Sequence, residues 1–432
     1  MKKILLIQRV FFSFLLLFLS NNPLSALTID EAIALSRQNN KQILQQKKQI
    51  AIAGQGVKEA KSYSWPQLSL NANYTYYDKE QRINLPGRGS IQMGFHNNYL
   101  AGVGVNQLIY DWGKTLNAVD KTRNIVKIEE EKLRYLENQL IFNLKEIFYR
   151  LVYLRKNVAV YKESWQTAEE NLRSAKEKYR RGKLSRYETV RAGVEAENLK
   201  PNILWAENEL KMAWADLELL LGTKVNDRLS PEDLPFNFPD EGKEKNLQEA
   251  LAYNTSLKLL ELERAGMANQ LKMDAALNKP AVSAFLNYNY LNPFENQEKW
   301  ENLSSIGVKI NFPLFDGLRT AALVEKNRLI LEKNVLQKED TEENIAREVE
   351  KAWLDFTQTK QLIVSQEANI QAAELGLQIA RTRFQEGLST QIELLDAQTA
   401  LQNAQANLHY TRYKTARSYF LLKFLAGGPV GN

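Results

Sequence analysis

Residues 106–113 read NQLIYDWG, and residues 311–317 read NFPLFDG, so that one motif returns after 205 positions. The same spacing relates further identical residues over nearly ninety positions. Chance does not hold one register over such a length, so the chain contains an internal duplication. We place a first repeat at 27–228, a linker at 229–245 and a second repeat at 246–428. The identical pairs are Asn106/Asn311, Asp111/Asp316, Thr115/Thr320, Gly182/Gly387, Glu188/Glu393 and Ala192/Ala397.

Each repeat contains two segments in which apolar and polar residues alternate. The second of these segments runs into the motif. Alternation with a period of two indicates β-strands that have one apolar and one polar face. A length of about ten residues is typical of strands that cross a membrane. The predicted strands cover about 67–77, 99–109, 281–290 and 304–314. Glycines at 102 and 104 lie inside a strand, which indicates room for close packing or curvature rather than a nucleotide loop.

Aromatic residues cluster near the ends of these strands, as they do at the two interfaces of a membrane. Even small barrels use about eight strands, so four strands close a barrel only if several copies assemble. A soluble four-stranded sheet packed on helices is the alternative. The predicted aromatic belt consists of Trp65, Tyr76, Tyr99, Tyr110, Trp112, Tyr290, Trp300, Phe312 and Phe315.

Helical periodicity occupies most of the remaining chain. Each repeat is predicted to open with one helix, at 29–61 and at 247–277. Proline-free stretches at 113–181 and 318–386 carry apolar residues at steps of three and four, which predicts coiled-coil helices on the order of 100 Å long. Each long helix turns at a glycine and returns through 184–221 or 388–425. The first repeat has nine more residues between its strands, which predicts a surface loop.

The composition excludes most enzyme chemistry. The chain has no cysteine, so disulfides and thiolate zinc sites are excluded, and its two histidines, His96 and His409, cannot form a metal cluster alone. We expect both histidines to be exposed polar residues. Basic and acidic residues alternate along the helices, which argues against nucleic acid as a partner. No cofactor and no catalytic activity are expected.

The first 26 residues have the pattern of a signal peptide, with a basic start, an apolar stretch and a small residue, Ala26, at the cleavage site. No cysteine follows that site, so we expect no lipid anchor. After it no run is apolar enough to span a membrane as a helix. Any membrane crossing is therefore assigned to the strands.

Together these features resemble the TolC-type outer membrane efflux proteins over the whole mature length. The resemblance rests on the two strand-to-helix motifs, on the helix turns YRRG (179–182) and FQEG (384–387), and on IELLDA (392–397). It implies a homotrimer with a twelve-stranded transmembrane β-barrel, four strands from each copy, continued by a periplasmic α-helical barrel. It also implies the Gram-negative outer membrane as location, with membrane lipid, a periplasmic adaptor and an inner-membrane transporter as partners.

The resemblance also assigns roles to the two helix turns. It implies that an adaptor docks at Gly182, Leu184, Ser185, Gly387, Leu388 and Ser389. Glu393 and Asp396, which lie on one helical face, are expected to form a carboxylate gate that selects cations, and Glu188 aligns with a gate residue of the other turn. At position 389, family members can carry a basic residue that holds the helix turns of neighbouring copies closed, but this chain has Ser389. Arg186 and Gln391 are therefore candidates for closing the channel at the helix turns.

The sequence therefore predicts a passive exit channel of a tripartite efflux pump or a type I secretion system. The α+β fold would combine a membrane barrel with long coiled coils. The alternative is a non-channel protein, either a periplasmic coiled-coil spacer or a surface adhesin. Such a protein would need neither amphipathic strands nor aromatic belts.

Overall fold

The computed structural model describes residues 27–87, 89–224, 236–295 and 297–427. The predicted signal peptide at 1–26 and the first part of the predicted linker, 229–235, lie outside the described residues. The chain divides into two compact units. The strand unit comprises Gln45–Tyr135 and Thr255–Asn344, and the helical unit comprises the described residues up to Leu44, Leu136–Asn254 and those from Ile345 onward.

Both repeats have the same order of elements, namely two short helices, two long strands, a long helix and a return helix. In the first repeat these are α1 (Ile29–Asn39), α2 (Lys41–Ser62), β1 (Gln67–Tyr76), β4 (Asn97–Tyr110), α3 (Lys114–Arg180) and α4 (Arg186–Leu221), with β2 (Arg82–Leu85) and β3 (Gly89–Gln92) between the long strands. In the second they are α5 (Lys243–Tyr253), α6 (Thr255–Ala275), β5 (Ala281–Asn292), β6 (Glu301–Asn311), α7 (Arg319–Gln385) and α8 (Gln391–Leu425).

The four long strands form one antiparallel sheet in the order β1-β4-β5-β6. The predicted fold class, with four amphipathic strands and long helical hairpins in a duplicated chain, is confirmed. The last strand differs from its predicted range of 304–314, since β6 begins at Glu301 and ends at Asn311. Pro313 follows two residues later, and its missing N–H prevents it from continuing the ladder.

The predicted surface loop of the first repeat contains a β-hairpin that the sequence analysis missed. β2 and β3 pair as a separate two-stranded sheet. Pro86 and Gly87 lie in the connection between them, and Gly87 has a φ of 78°. Proline presets the backbone before a turn and glycine accepts a positive φ, so this pair suits a tight reversal. The extra residues of the first repeat thus extend a hairpin.

The opening helix of each repeat, predicted as one helix, is two. In the first repeat the chain breaks at Asn40, whose backbone is extended with φ −64° and ψ 122°. The Asn40 side-chain oxygen accepts hydrogen bonds from the backbone N–H groups of Gln42 (3.0 Å) and Ile43 (3.3 Å), and thereby caps α2. Its side-chain nitrogen donates to the carbonyl of Leu220 at 3.0 Å. The break therefore ties the helix junction to the end of α4.

The second repeat contains the same arrangement. Asn254 separates α5 from α6, and its side-chain nitrogen donates to the carbonyl of Leu425 at 3.4 Å, at the end of α8. A glycine follows each return helix at close quarters. A Cβ added at Gly222 would lie 2.5 Å from the Asn39 carbonyl oxygen, and one at Gly427 would lie 2.5 Å from that of Tyr253. These long-range contacts explain why a local pattern did not reveal the breaks.

The core of the helical unit contains a cluster of rings. Tyr149 of α3, Phe356 of α7 and Phe420 of α8 are buried there together with Phe238. The described part of the predicted linker thus supplies a core residue, because Phe238 packs between the helices. None of the described helices combines the length and the hydropathy that crossing a membrane requires.

Candidate functional site

The strand-to-helix motifs hold the start of each long helix by the same pair of residues. The Asp111 carboxylate accepts a hydrogen bond from the backbone N–H of Thr115 at 2.8 Å and another from the Thr115 hydroxyl. Asp316 accepts the same two bonds from Thr320, with the backbone bond at 2.9 Å. A carboxylate here satisfies a free N–H at a helix start. The bonds from Thr320 hold the pKa of Asp316 below its usual value.

One face of the four-stranded sheet is apolar and uncovered. The register places Leu70 opposite Val103, and Leu286 opposite Ile306. Leu70 is 78% exposed and Ile306 is 82% exposed, although both have large aliphatic side chains. An exposed apolar surface that continues over several strands indicates contact with lipid or another protein.

The opposite face of the sheet is polar and crowded around its glycines. A Cβ at Gly102 would lie 2.0 Å from Oδ1 of Asn289, and one at Gly104 would lie 2.9 Å from Oδ1 of Asn287. The glycines therefore make room for asparagine side chains that lean across from β5. The prediction that these glycines allow close packing is confirmed.

The predicted aromatic belt lies near both ends of the sheet. Toward the β2–β3 end, the rings of Tyr99 and Tyr290 lie 5.6 Å and 4.9 Å from that of Trp300. At the other end, the rings of Tyr110 and Trp112 lie 5.4 Å apart, and the Trp112 indole donates to the Pro280 carbonyl at 2.9 Å. The belt members not in these two groups, all exposed, are Trp65, Tyr76, Phe312 and Phe315.

The first helix turn, which joins α3 to α4, contains three of the predicted docking residues. Gly182 has a φ of 68°, which favours glycine, and a Cβ added there would meet no atom within 4 Å. Ser185 caps α4, because its hydroxyl accepts from the Glu188 backbone N–H at 3.2 Å while the Glu188 carboxylate accepts from the Ser185 N–H at 3.0 Å. Leu184, which precedes Ser185, is half-buried.

The second helix turn, which joins α7 to α8, repeats this geometry. Gly387 has a φ of 78°, again with open space where a Cβ would stand. Thr390 and Glu393 form the same reciprocal cap, with bonds of 3.3 Å and 3.4 Å. Leu388 is exposed, whereas the Ser389 hydroxyl is buried and has no hydrogen-bond partner in the described part of the chain.

Two of the three predicted gate carboxylates therefore already have structural partners. Glu188 and Glu393 complete capping boxes, while Asp396, one turn into α8, is exposed. An arginine that the sequence analysis did not consider reaches the second turn. Arg383 lies 3.8 Å from the Glu393 carboxylate and donates to the Leu388 carbonyl at 3.3 Å. Of the two residues suggested to close the tip, Arg186 is exposed and Gln391 is buried.

The two histidines differ in exposure, although we expected both to be exposed. The His96 side chain is 41% exposed, and its Nδ1 lies 2.8 Å from the Tyr77 carbonyl oxygen. His409 is half-buried on α8 beside Tyr153 and Phe236. Burial, together with the nearby cations Lys156 and Arg412, lowers the pKa of His409 to about 4, so its ring is neutral at neutral pH.

Comparisons with known proteins agree with this architecture. The model of the family described as "Outer membrane efflux protein" matches residues 32–223 and 246–428, which are the two repeats. The chain is 21% identical to the outer membrane efflux protein BepC of Brucella suis, covering 91% of this chain and 84% of BepC. It is 20% identical to the outer membrane protein TolC of Vibrio cholerae, covering 91% and 89%.

A solved structure has the same fold. That of the outer membrane protein VceC from Vibrio cholerae superimposes with a TM-score of 0.76, at 17% identity, over 93% of this chain and 96% of VceC. Family membership makes the protein a channel of the Gram-negative outer membrane with a large periplasmic part. With two matched repeats that span most of its length, the chain belongs to the outer membrane efflux protein family.

Proposed function

We propose that three copies of this chain close one twelve-stranded barrel, with β6 of each copy paired to β1 of the next. In the single chain β1 and β6 are the edges of the sheet, with ten and eleven residues. An edge strand presents unpaired N–H and C=O groups that can pair with another strand. Inside a membrane no water is present to form hydrogen bonds with them. Pairing between copies removes every edge.

The observation that carries this proposal is the unequal pair of sheet faces. The apolar face, which includes Leu70 and Ile306, would meet lipid, and the face with Gly102 and Asn289 would line a water-filled duct. Outer membrane barrels alternate in this way. The aromatic groups around Trp300 and Trp112 would lie at the two membrane interfaces. A coiled-coil spacer or an adhesin does not require any of these features.

The proposed role is passive conduction, without catalysis. The channel would be the exit duct of a tripartite efflux pump or a type I secretion system, and an inner-membrane transporter would supply the energy. A periplasmic adaptor would dock at the helix turns, which are called the first tip (176–191) and the second tip (381–396) from here on. Small molecules or proteins would leave the cell through the duct.

The test of barrel closure uses cysteine pairs, because the chain itself has no cysteine. Leu70→Cys is combined with Ile306→Cys, Val308→Cys or Ile310→Cys, which scans the unknown register along the apolar face of β6. Neighbouring strands bring facing Cβ atoms to about 4.5–5.5 Å, within reach of a disulfide. After oxidation with copper phenanthroline and boiling in SDS, which dissociates any non-covalent trimer, at least one pair is expected to give a covalent trimer on a non-reducing gel.

The matched controls pair Leu70→Cys with Ser305→Cys or Lys309→Cys, whose side chains lie on the other face of β6. These combinations are expected to remain monomeric on the same gel. Purified protein should also conduct ions in planar bilayers. A monomer in every combination, without conductance, would refute the trimeric channel.

A second prediction separates the gate from the helix cap at the second tip. Because glutamine also completes a capping box, Glu393→Gln should preserve the start of α8, whereas Glu393→Ala should cost about 0.5–1 kcal/mol there. Three copies would place six carboxylates from Glu393 and Asp396 around one axis. The Glu393→Gln/Asp396→Asn variant is therefore expected to lose most cation selectivity and block by trivalent cations.

Reversal potentials under a KCl gradient measure that selectivity, and hydrogen exchange of the first α8 amides measures the cap. Asp396→Asn alone is the control for the hydrogen-exchange measurement, since the exposed Asp396 lies outside the cap. Unchanged selectivity in the double variant would contradict the gate and leave Glu393 with its capping role.

A further inference from the structure

The two tips have the same turn geometry but a different charge. The first tip contains seven basic and two acidic residues, whereas the second contains two basic and three acidic residues. Most of the difference lies at four aligned positions around the turn, and Arg191 farther along α4 is aligned with Asp396. Arg180, Arg181, Lys183 and Arg186 of the first tip correspond to Gln385, Glu386, Leu388 and Gln391 of the second.

The four cations of the first tip are available to a partner. All four side chains are exposed, and within the described part of the chain none of them forms an ion pair or a side-chain hydrogen bond. The second tip differs, because Arg383 there is engaged with Glu393 and Leu388. Four positive charges within the seven residues 180–186 repel one another, and an acidic partner would relieve that repulsion.

The surroundings of these cations suit a protein partner. Tyr179, Tyr187 and Val190 of the first tip are exposed, with Tyr187 at 69%. Arginine and tyrosine together are enriched where proteins bind one another. A Cβ at Gly182 would meet no atom within 4 Å, so the backbone of the turn is open to close approach. Insertion into a bilayer surface would instead need a large apolar face, and the turn itself exposes charged residues and glycine.

We propose that the first tip is the electrostatic docking site of the channel, and that it binds an acidic segment of the periplasmic adaptor, while the second tip contributes no comparable charge. This inference rests on the proposed function, in which the tips dock an adaptor. Three copies would present three basic and three nearly neutral tips. The adaptor would distinguish the two kinds of tip by charge, although their backbone turns are alike.

The duplication itself provides a variant with little risk to folding. Arg180→Gln, Arg181→Glu, Lys183→Leu and Arg186→Gln together give the first tip the residues that already form the second turn. The four side chains lie outside the Ser185–Glu188 cap and the contact of Lys178 with the Phe384 ring. Circular dichroism checks that this tip-swap variant is folded. A trimer that does not dissociate on an SDS gel, called the gel-resistant trimer, is the second check.

Binding is measured between the purified full-length channel and the periplasmic domain of the adaptor whose deletion abolishes efflux through it. Wild-type binding is expected to weaken about tenfold between roughly 50 and 300 mM salt, because exposed charges are screened over that range. The tip-swap variant should bind at least about 30-fold more weakly at low salt and lose most of this dependence. Glu386→Gln, the matched change at the second tip, should stay within about twofold of wild type.

The other outcomes separate this inference from the proposed function. If the tip-swap variant binds like wild type while the Gly182→Tyr/Gly387→Tyr variant does not bind, the adaptor docks without using these charges, and only the present inference fails. If wild type does not bind the adaptor, adaptor docking fails as well. If wild type instead binds vesicles with 30 mol% phosphatidylglycerol and the tip-swap variant does not, the acidic partner is a membrane and the inference is overturned.

Discussion

Ile306→Arg is expected to destabilise the inserted protein by about 2–4 kcal/mol per copy, the cost of arginine on the lipid face near the middle of a membrane strand. Ile306 lies in the centre of β6, opposite Leu286, and its side chain is one of the most exposed on the apolar sheet face. Three copies would lose roughly 6–12 kcal/mol, which is comparable to the whole folding free energy of a typical protein. We therefore expect almost no gel-resistant trimer in the outer membrane fraction.

Ser305→Arg is the matched control, one residue earlier and on the opposite face of the same strand. Ser305 pairs with Asn287 and lies on the polar side. Arginine there would extend into the proposed duct, so the trimer should persist and only conductance should change. Equal loss of trimer in both variants would show that the apolar face does not meet lipid.

Replacing both Gly182 and Gly387 by tyrosine is expected to reduce adaptor-dependent efflux to the level of cells that lack the protein. Both glycines have a positive φ, so each tyrosine costs about 1–2 kcal/mol of backbone strain. A Cβ at either position meets no atom within 4 Å, so the ring can extend outward without disturbing the turn. The strain is too small to unfold helices of this length, and the added ring blocks the surface that an adaptor would cover.

The measurement is accumulation of a fluorescent efflux dye in cells that express each variant at equal trimer level. Gly182→Asn/Gly387→Asn is the control for the backbone, because asparagine tolerates the left-handed conformation better than other residues. It should retain most of the efflux. Normal efflux in the tyrosine variant would argue against docking at these turns.

The repeat, the four long strands and the long helices could be predicted because each is encoded by a local pattern. Residues 281–292 alternate between apolar and polar, and this period is enough to indicate a strand without knowledge of its neighbours. The glycine of each helix turn was equally visible, since a positive φ favours glycine wherever the turn lies. Both glycines therefore lie in the helix turns, as the sequence predicted.

Features that depend on distant residues were missed or only partly predicted. The breaks at Asn40 and Asn254 depend on carbonyl groups about 170 to 180 positions away, at Leu220 and Leu425. The contact between Arg383 and Glu393 depends on how α7 and α8 meet across the turn. The hairpin of β2 and β3 was overlooked because its strands have only four residues each.

The sequence by itself determined the duplication, the two faces of each long strand and the unequal charge of the two tips, because periodicity and composition are properties of the chain. Only the tertiary structure decided which strands are edges, which carboxylates already cap a helix and which arginines remain without a partner. These properties require two distant segments to meet, and the free energy of such a contact depends on both segments, so that neither segment alone predicts it.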